Sequence, residues 1–412
     1  MRIKLFFIHP KNYGNMMMAD SFIYYFTQFV SKTKETDITF YLDVVDDEEL
    51  RIVKKNLPSD ISIKSDILYD QKKQGILGKI EKLFFVPIEI RHNIKKFDAS
   101  VILGGDCISE YYSKQKFVFN MIKFHFISKK IPMFALGQTM GPFSLRSIKF
   151  VRWALENCKI YARDDDGYRY LIEKVGLHNV KKARDLALLN IPFQYDEKII
   201  KNTIKRYIGK MDCKYITYVP SGANLQYTSD TVHYIEEFVR MIMNSIDKYS
   251  VDILLLAHVI HTKTSNDKAI IDKIMQLIPK QYKKRIHCIN YLILPYESRI
   301  LLGNGLFTIT GRMHAAVSSI NMGVVPICLS YSVKYKGVIG DPYDLNEYII
   351  QCRGNDKWVG HEISDKVALL QEKLITENEK NRRRIVERNE ENSKIALSQI
   401  EETANMMIGW KK

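Results

Sequence analysis

Leu306–Lys336 reads LFTITGRMHAAVSSINMGVVPICLSYSVKYK. An apolar run ends at Thr310, and Gly311 permits a sharp turn. Met313 to Met322 then has helical spacing, and Gly323 closes it. Val325 to Leu329 is a second apolar run of strand length. A strand, a short turn, a helix and another strand form the unit that places two strands parallel in one sheet. The rest of the chain has the same rhythm. Upstream, strands are expected at Tyr215–Val219 and Asp252–Ala257, with helices at Val232–Tyr249 and Ala269–Ile278. In the first half, strands are expected at Ile3–Ile8, Ile38–Leu42, Ala99–Leu103, Pro132–Leu136 and Lys159–Ala162. Helices are expected at Ala19–Val30, Ile122–Phe126, Ile148–Asn157 and Gly167–Val175. Alternation of this kind implies parallel sheets covered by helices on both faces, an α/β fold.

A chain of 412 residues is too long for one ordinary core. The style of the units changes around Asn190–Tyr207. The expected division is residues 1–195, 196–360 and a helical tail 361–412 that packs back on the first domain. Hydrophobic residues at 46% and charged residues at 26% exclude a disordered or fibrous chain. No apolar run reaches the roughly 20 residues of a membrane span, and the start does not read as a signal peptide. The six scattered cysteines, without a CxxC, read as reduced thiols, and the expected compartment is the cytoplasm. The net charge of +15 favours anionic partners, among them the inner face of a membrane. The basic residues form no aromatic-interleaved stripe, so nucleic acid is not an expected partner.

Ligands of open parallel sheets bind beyond the carboxyl ends of the strands, and polar residues gather there. Arg312 offers a planar fork for a carboxylate or phosphate, and His314 can exchange a proton near neutral pH. Both enter a helix whose first turn carries the positive end of the dipole. Ser330, Tyr331, Lys334 and Lys336 follow the next strand. Against this stands a structural reading, in which Arg312 forms an ion pair and His314 is a satisfied buried histidine. Gln138 and Arg163 occupy equivalent strand-end positions in the first half. Asp164–Asp166 reads as a helix cap or, less simply, as a metal-binding triplet. Gly14-Asn15, Asp20 and Asp106 lie in two further glycine turns. His258 and His261 follow a strand without the companions of a zinc site, and Asp267 lies nearby.

In order along the chain, the segments NYGN with Asp20, VILGGD, ALGQTMGPF, ARD, RDLALL, His258 with Asp267, GRMHAAVSS and SYSVKYKG resemble the polysaccharide pyruvyl transferase family. The resemblance implies a GT-B-like pair of Rossmann-like domains and the donor phosphoenolpyruvate. The product would be a pyruvate ketal on a sugar of a capsular or exopolysaccharide precursor. It implies His314, Lys334 and Arg312 as catalytic residues. Arg163, Arg312, Met313, His314, Gln138, Tyr331 and Lys334 would contact the donor, and Asn15, Asp20, Asp106 and His258 the acceptor. No cofactor or metal is implied beyond the co-substrate, and a lipid-diphosphate-linked acceptor would suit the charge. The competing readings are a nucleotide-sugar glycosyltransferase of the same architecture and a basic scaffold at the membrane face.

Overall fold

A computed structural model describes residues 1–33, 37–44, 46–67, 76–110, 113–260 and 265–410. Among these residues, thirteen strands form two wholly parallel sheets. The first contains β1 (Arg2–Phe6), β2 (Thr39–Leu42), β3 (Ser62–Ser65), β4 (Ala99–Ile102), β5 (Met133–Gln138), β6 (Lys159–Ala162) and β7 (Val180–Lys182). Its order is β3-β2-β1-β4-β5-β6-β7. The second contains β8 (Tyr215–Val219), β9 (Asp252–Leu256), β10 (Ile286–Ile289), β11 (Thr308–Thr310), β12 (Pro326–Ser330) and β13 (Ile349–Gln351), in the order β10-β9-β8-β11-β12-β13. Each sheet reverses its order once, between β1 and β4 and between β8 and β11. A crevice at the carboxyl edge is the consequence of such a reversal.

The inner strands β4, β5, β8 and β12 are buried along their whole length. That is what β-branched and aliphatic runs such as ASVI and PICLS require when helices cover both faces. Several helices start on a side chain that accepts a bond from an otherwise orphaned backbone N–H: Asp46, Ser113, Asp164, Asp196, Asp230 and Asn266. The triplet Asp164–Asp166 therefore uses its first member as a cap, with Asp164 Oδ1 accepting from Gly167 N at 2.6 Å.

Contacts divide the chain into two units. The first holds residues 1–10, 18–186 and 393–412; the second holds 11–17 and 187–392. The division thus falls at Leu186 rather than 195, and it assigns Lys11–Met17, the start of the helix Tyr13–Thr33, to the second unit. The tail is one helix, Glu362–Gly409, of 48 residues. Its last part belongs to the first unit. There Tyr161 Oη donates to Glu402 at 2.9 Å, and Gln399 accepts from Gly137 N at 2.9 Å. Among the described residues no helix is long and apolar enough to cross a membrane.

Candidate functional site

In the second unit the carboxyl ends of β8, β9, β11 and β12 meet around Gly311 and Arg312. Gly311 N donates to Val219 O at 3.0 Å. Its carbonyl accepts from Tyr227 Oη at 2.6 Å and Tyr335 Oη at 2.7 Å. Tyr335 thereby ties the segment after β12, which carries Tyr331 and Lys334, to the turn after β11. Tyr331 packs edge-on against Tyr227 at 5.0 Å. Arg312 is the N-cap of the helix Met313–Asn321, so Met313 and His314 occupy its first turn.

Asp267 organises this edge. Fully buried, it accepts from the backbone N–H of Gly222 (2.6 Å), His258 (3.0 Å) and Val259 (2.8 Å). The same carboxylate takes Arg312 in a fork, Nη2 at 2.5 Å and Nε at 3.0 Å, while Nη2 also donates to Ser265 at 2.7 Å. The ion pair anticipated as one reading of Arg312 exists. It also fixes the plane of the guanidinium, whose side chain stays 15% exposed. Burial works against the charge, but Asp267 more than offsets it and holds the Arg312 pKa above its ordinary value.

His314 rests on the chain's other end. A Cβ added to Gly14 would stand 2.3–2.4 Å from Cβ, Cγ and Nδ1 of His314, inside any real contact. Gly14 lies in the first turn of the helix Tyr13–Thr33 and has no left-handed backbone to justify a glycine. The reason for glycine here is the approach of the imidazole. Tyr13 holds the same turn in place: its N–H donates to His258 O at 3.2 Å, and its hydroxyl accepts from Ile293 N at 2.8 Å. The Tyr13 and His258 rings meet edge to face at 5.3 Å.

His258 is 1% exposed, and its Nε2 has no hydrogen-bond partner among the described residues. Burial, then the neighbouring His314 and Arg312, push its pKa well below the usual value, so the ring is neutral. His258, expected at the acceptor, is buried against Tyr13. Asn15, also expected there, is buried in the same first turn. His261 lies outside the described residues.

The remaining expected site residues belong to the first unit. Arg163, expected to grip the donor, is instead a brace. It is 1% exposed, pairs with the fully buried Asp185 at 2.5 Å, and donates from Nε to Thr139 Oγ1 at 2.8 Å. Its Nη1 also stands where a Gly105 side chain would be, 2.6 Å away, and Gly105 has a left-handed φ of +71°. The turn carrying Asp106 is shaped by this packing. Gln138 is buried at the end of β5, with Nε2 donating to Leu136 O at 2.8 Å. Asp20 is fully buried within its helix.

Sequence reasoning left Tyr13, Tyr227 and Tyr335 without a role, although all three fasten the site. Gly14 was visible as turn punctuation, but its function depends on a residue 300 positions away in the chain. Among the described residues, Cys213, Asp252 and His287 come within potential metal-ligand distance of one another, at the amino ends of the strands. Arg285 already holds the Asp252 carboxylate at 2.6 Å.

The polysaccharide pyruvyl transferase family matches residues 12–333, and the chain belongs to that family. No relative among curated proteins matches the chain. Among solved structures it is similar to the UDP-GlcNAc 2-epimerase from Neisseria meningitidis bound to UDP-GlcNAc. That likeness has a TM-score of 0.63 at 12% identity and covers 99% of both chains. MnaA from S. aureus, solved with UDP, matches with a TM-score of 0.60 at 10% identity over 97% of this chain and 94% of that one. The N-terminal domain of trehalose-6-phosphate phosphatase from Candida albicans matches with a TM-score of 0.57 at 10% identity, over 99% and 96%. At these identities the likeness shows the fold, two GT-B-like Rossmann units.

Proposed function

We propose that the chain moves the pyruvyl group of phosphoenolpyruvate onto two hydroxyls of a sugar, releasing phosphate and leaving a pyruvate ketal. The observation that carries this reading is the edge of the second unit. There an arginine oriented by Asp267 caps a helix whose first turn presents a histidine seated on Gly14. Phosphoenolpyruvate is small and carries a carboxylate and a phosphate. The Arg312 charge, the helix N-terminus and Lys334 supply the matching positive field. His314 gives a proton to the methylene carbon as the first sugar hydroxyl adds to the adjacent carbon, and it takes back the proton that this hydroxyl sheds. The second hydroxyl then displaces phosphate, its proton leaving with the phosphate, and Lys334 steadies the charge that develops on the leaving group. Met313 and Tyr331 border the same turn. The reading calls on side chains and the co-substrate, with no further cofactor.

The test is phosphate release from phosphoenolpyruvate by wild-type and His314→Ala protein with a panel of free, nucleotide-linked and lipid-linked sugars. The expected result is acceptor-dependent release by wild type alone, with a pyruvyl mass increment on the sugar. Absence both of phosphate release with every acceptor and of phosphoenolpyruvate binding would overturn the reading, and release of a nucleoside diphosphate would replace it with glycosyl transfer.

A further inference from the structure

Residues 111–155 hold eight lysines and arginines and no acid, although the chain's average, 47 acids in 412 residues, would place about five there. The stretch supplies two helices, Lys114–Ser128 and Leu145–Leu155, which pack against each other in the first unit. Their inner faces are core: Phe117, Met121, Phe124 and Ile127 from one, Val151, Ala154 and Leu155 from the other.

The outer faces are apolar as well. Val118, Ile122 and Phe126 recur every four residues and so share one side of the first helix. Val118 is 40% and Phe126 46% exposed, and Ile122 is half-buried. From the second helix Trp153, 36% exposed, stands edge-on to Phe126 at 6.3 Å. Its ring stacks on His125 at 3.6 Å and on Phe150 at 5.5 Å, which fixes it at the surface. Single exposed apolar residues are common on soluble proteins, but a contiguous group marks a contact surface.

Around this stripe positive charge is in excess. Lys123 pairs with Glu89 at 2.9 Å, and Arg152 turns away to donate to Val175 O at 2.7 Å. Lys129, Lys130, Arg146 and Lys149 are exposed. Lys129 continues the side of Val118, Ile122 and Phe126, while Arg146 and Lys149 share the side of Trp153. The acids next to these helices leave the excess standing. Glu89 is taken by Lys123, Glu110 accepts from Ser144 N and Ser147 Oγ at 2.6 Å, and Glu156 stands 3.9 Å from His125 Nδ1.

An apolar centre with a basic rim discriminates among anionic partners. A nucleic acid would meet the rim and leave Val118, Ile122 and Phe126 in water. A bilayer with acidic headgroups takes both, apolar and aromatic side chains at the acyl boundary and cations at the phosphates. We infer that the outer faces of the helices Lys114–Ser128 and Leu145–Leu155 dock on an anionic lipid bilayer. Val118, Phe126 and Trp153 enter the headgroup layer, and Lys129, Lys130, Arg146 and Lys149 meet its phosphates. A net charge of +15 by itself names no face. The inference does not rest on the pyruvyl-transfer reading.

The test is flotation of the full chain with phosphatidylcholine vesicles, with and without phosphatidylglycerol. Phe126→Ser removes an exposed apolar anchor. Lys129→Gln combined with Lys130→Gln removes charge without touching the core, and carries the test should Phe126→Ser fail to fold. The expected result is binding of wild type to the anionic vesicles, weakened by salt and about tenfold weaker in each folded variant. No binding to anionic vesicles, equal binding to neutral ones, or binding unchanged in both variants would overturn the inference. So would a wild-type dimer in light scattering that Phe126→Ser dissociates, which would assign the face to a second copy of the chain.

Discussion

Gly14 lies against the imidazole of His314, and His258 is buried near enough to feel its charge; each makes a separate prediction. An alanine in a helix ordinarily gains about 1 kcal/mol over glycine. At position 14 its methyl group would meet His314 at 2.3 Å, so that gain should be absent. On the proposed pyruvyl transfer, we expect turnover of Gly14→Ala to fall at least about tenfold, the KM for phosphoenolpyruvate to change little, and the pH profile to shift. Steady-state kinetics across pH checks this, and a profile identical to wild type would remove Gly14 from any positioning role. His258 predicts a stability effect. Its folded pKa is depressed, so below the unfolded value of about 6.5 the unfolded chain binds a proton that the folded chain refuses. Stability is therefore lost as pH falls from about 6.5 toward the folded pKa, by up to about 1.4 kcal/mol per pH unit. Urea unfolding between these limits should show a shallower slope in His258→Gln than in wild type.

At the scale of elements, strand legibility followed burial. The nine strands expected from sequence all occur, and the four not anticipated are β3, β7, β10 and β13, the two edges of each sheet. Their sequences, SIKS, VKK, IHCI and IIQ, are short, and each is exposed or half-buried over much of its length. A strand packed on one side only needs no continuous apolar run, so its pattern fades into that of a loop. The inner strands, covered on both faces, announce themselves, and so do the glycine turns at their ends. Side-chain partners do not. Arg163 and Arg312 look alike in sequence, each following a strand and preceding a helix. Asp185 buries one completely, whereas Asp267 leaves the other partly exposed. Only the three-dimensional course of the chain decides which acid each meets. Removing Arg163 should leave Asp185 charged and buried, at a cost of about 3–5 kcal/mol. Chemical denaturation of Arg163→Ala measures it, and a loss below about 1 kcal/mol would mean that the pair braces nothing.

At the scale of the molecule, the helix Glu362–Gly409 extends about 72 Å at 1.5 Å per residue. Its final segment gives the first unit Ala396, Ile400 and Ala404, all fully buried, together with the Gln399 and Glu402 bonds. Truncation after Asn392 should therefore loosen the first sheet on the side of β5, β6 and β7, while β8, β9, β11 and β12 keep their protection. Hydrogen exchange resolved by segment tests this. Equal deprotection of both sheets, or of neither, would contradict the division of contacts. The helical tail expected from the sequence is a single helix, and no glycine or proline interrupts it between Ser364 and Asn405.

The seating of Gly14 under His314 bears on how such a chain can be inherited or recombined. A single crossover near residue 187, the simplest way to exchange one half for that of a cousin, would separate the glycine from the histidine it was fitted to. It would also give the first half a foreign terminal segment. A hybrid that respects the contacts must carry residues 11–17 with the second half and 393–412 with the first, which takes four junctions where a linear map suggests one. Donor chemistry in this lineage would then descend as a discontinuous cassette, and libraries built by one-point shuffling should be enriched in inactive hybrids even when both parents are active.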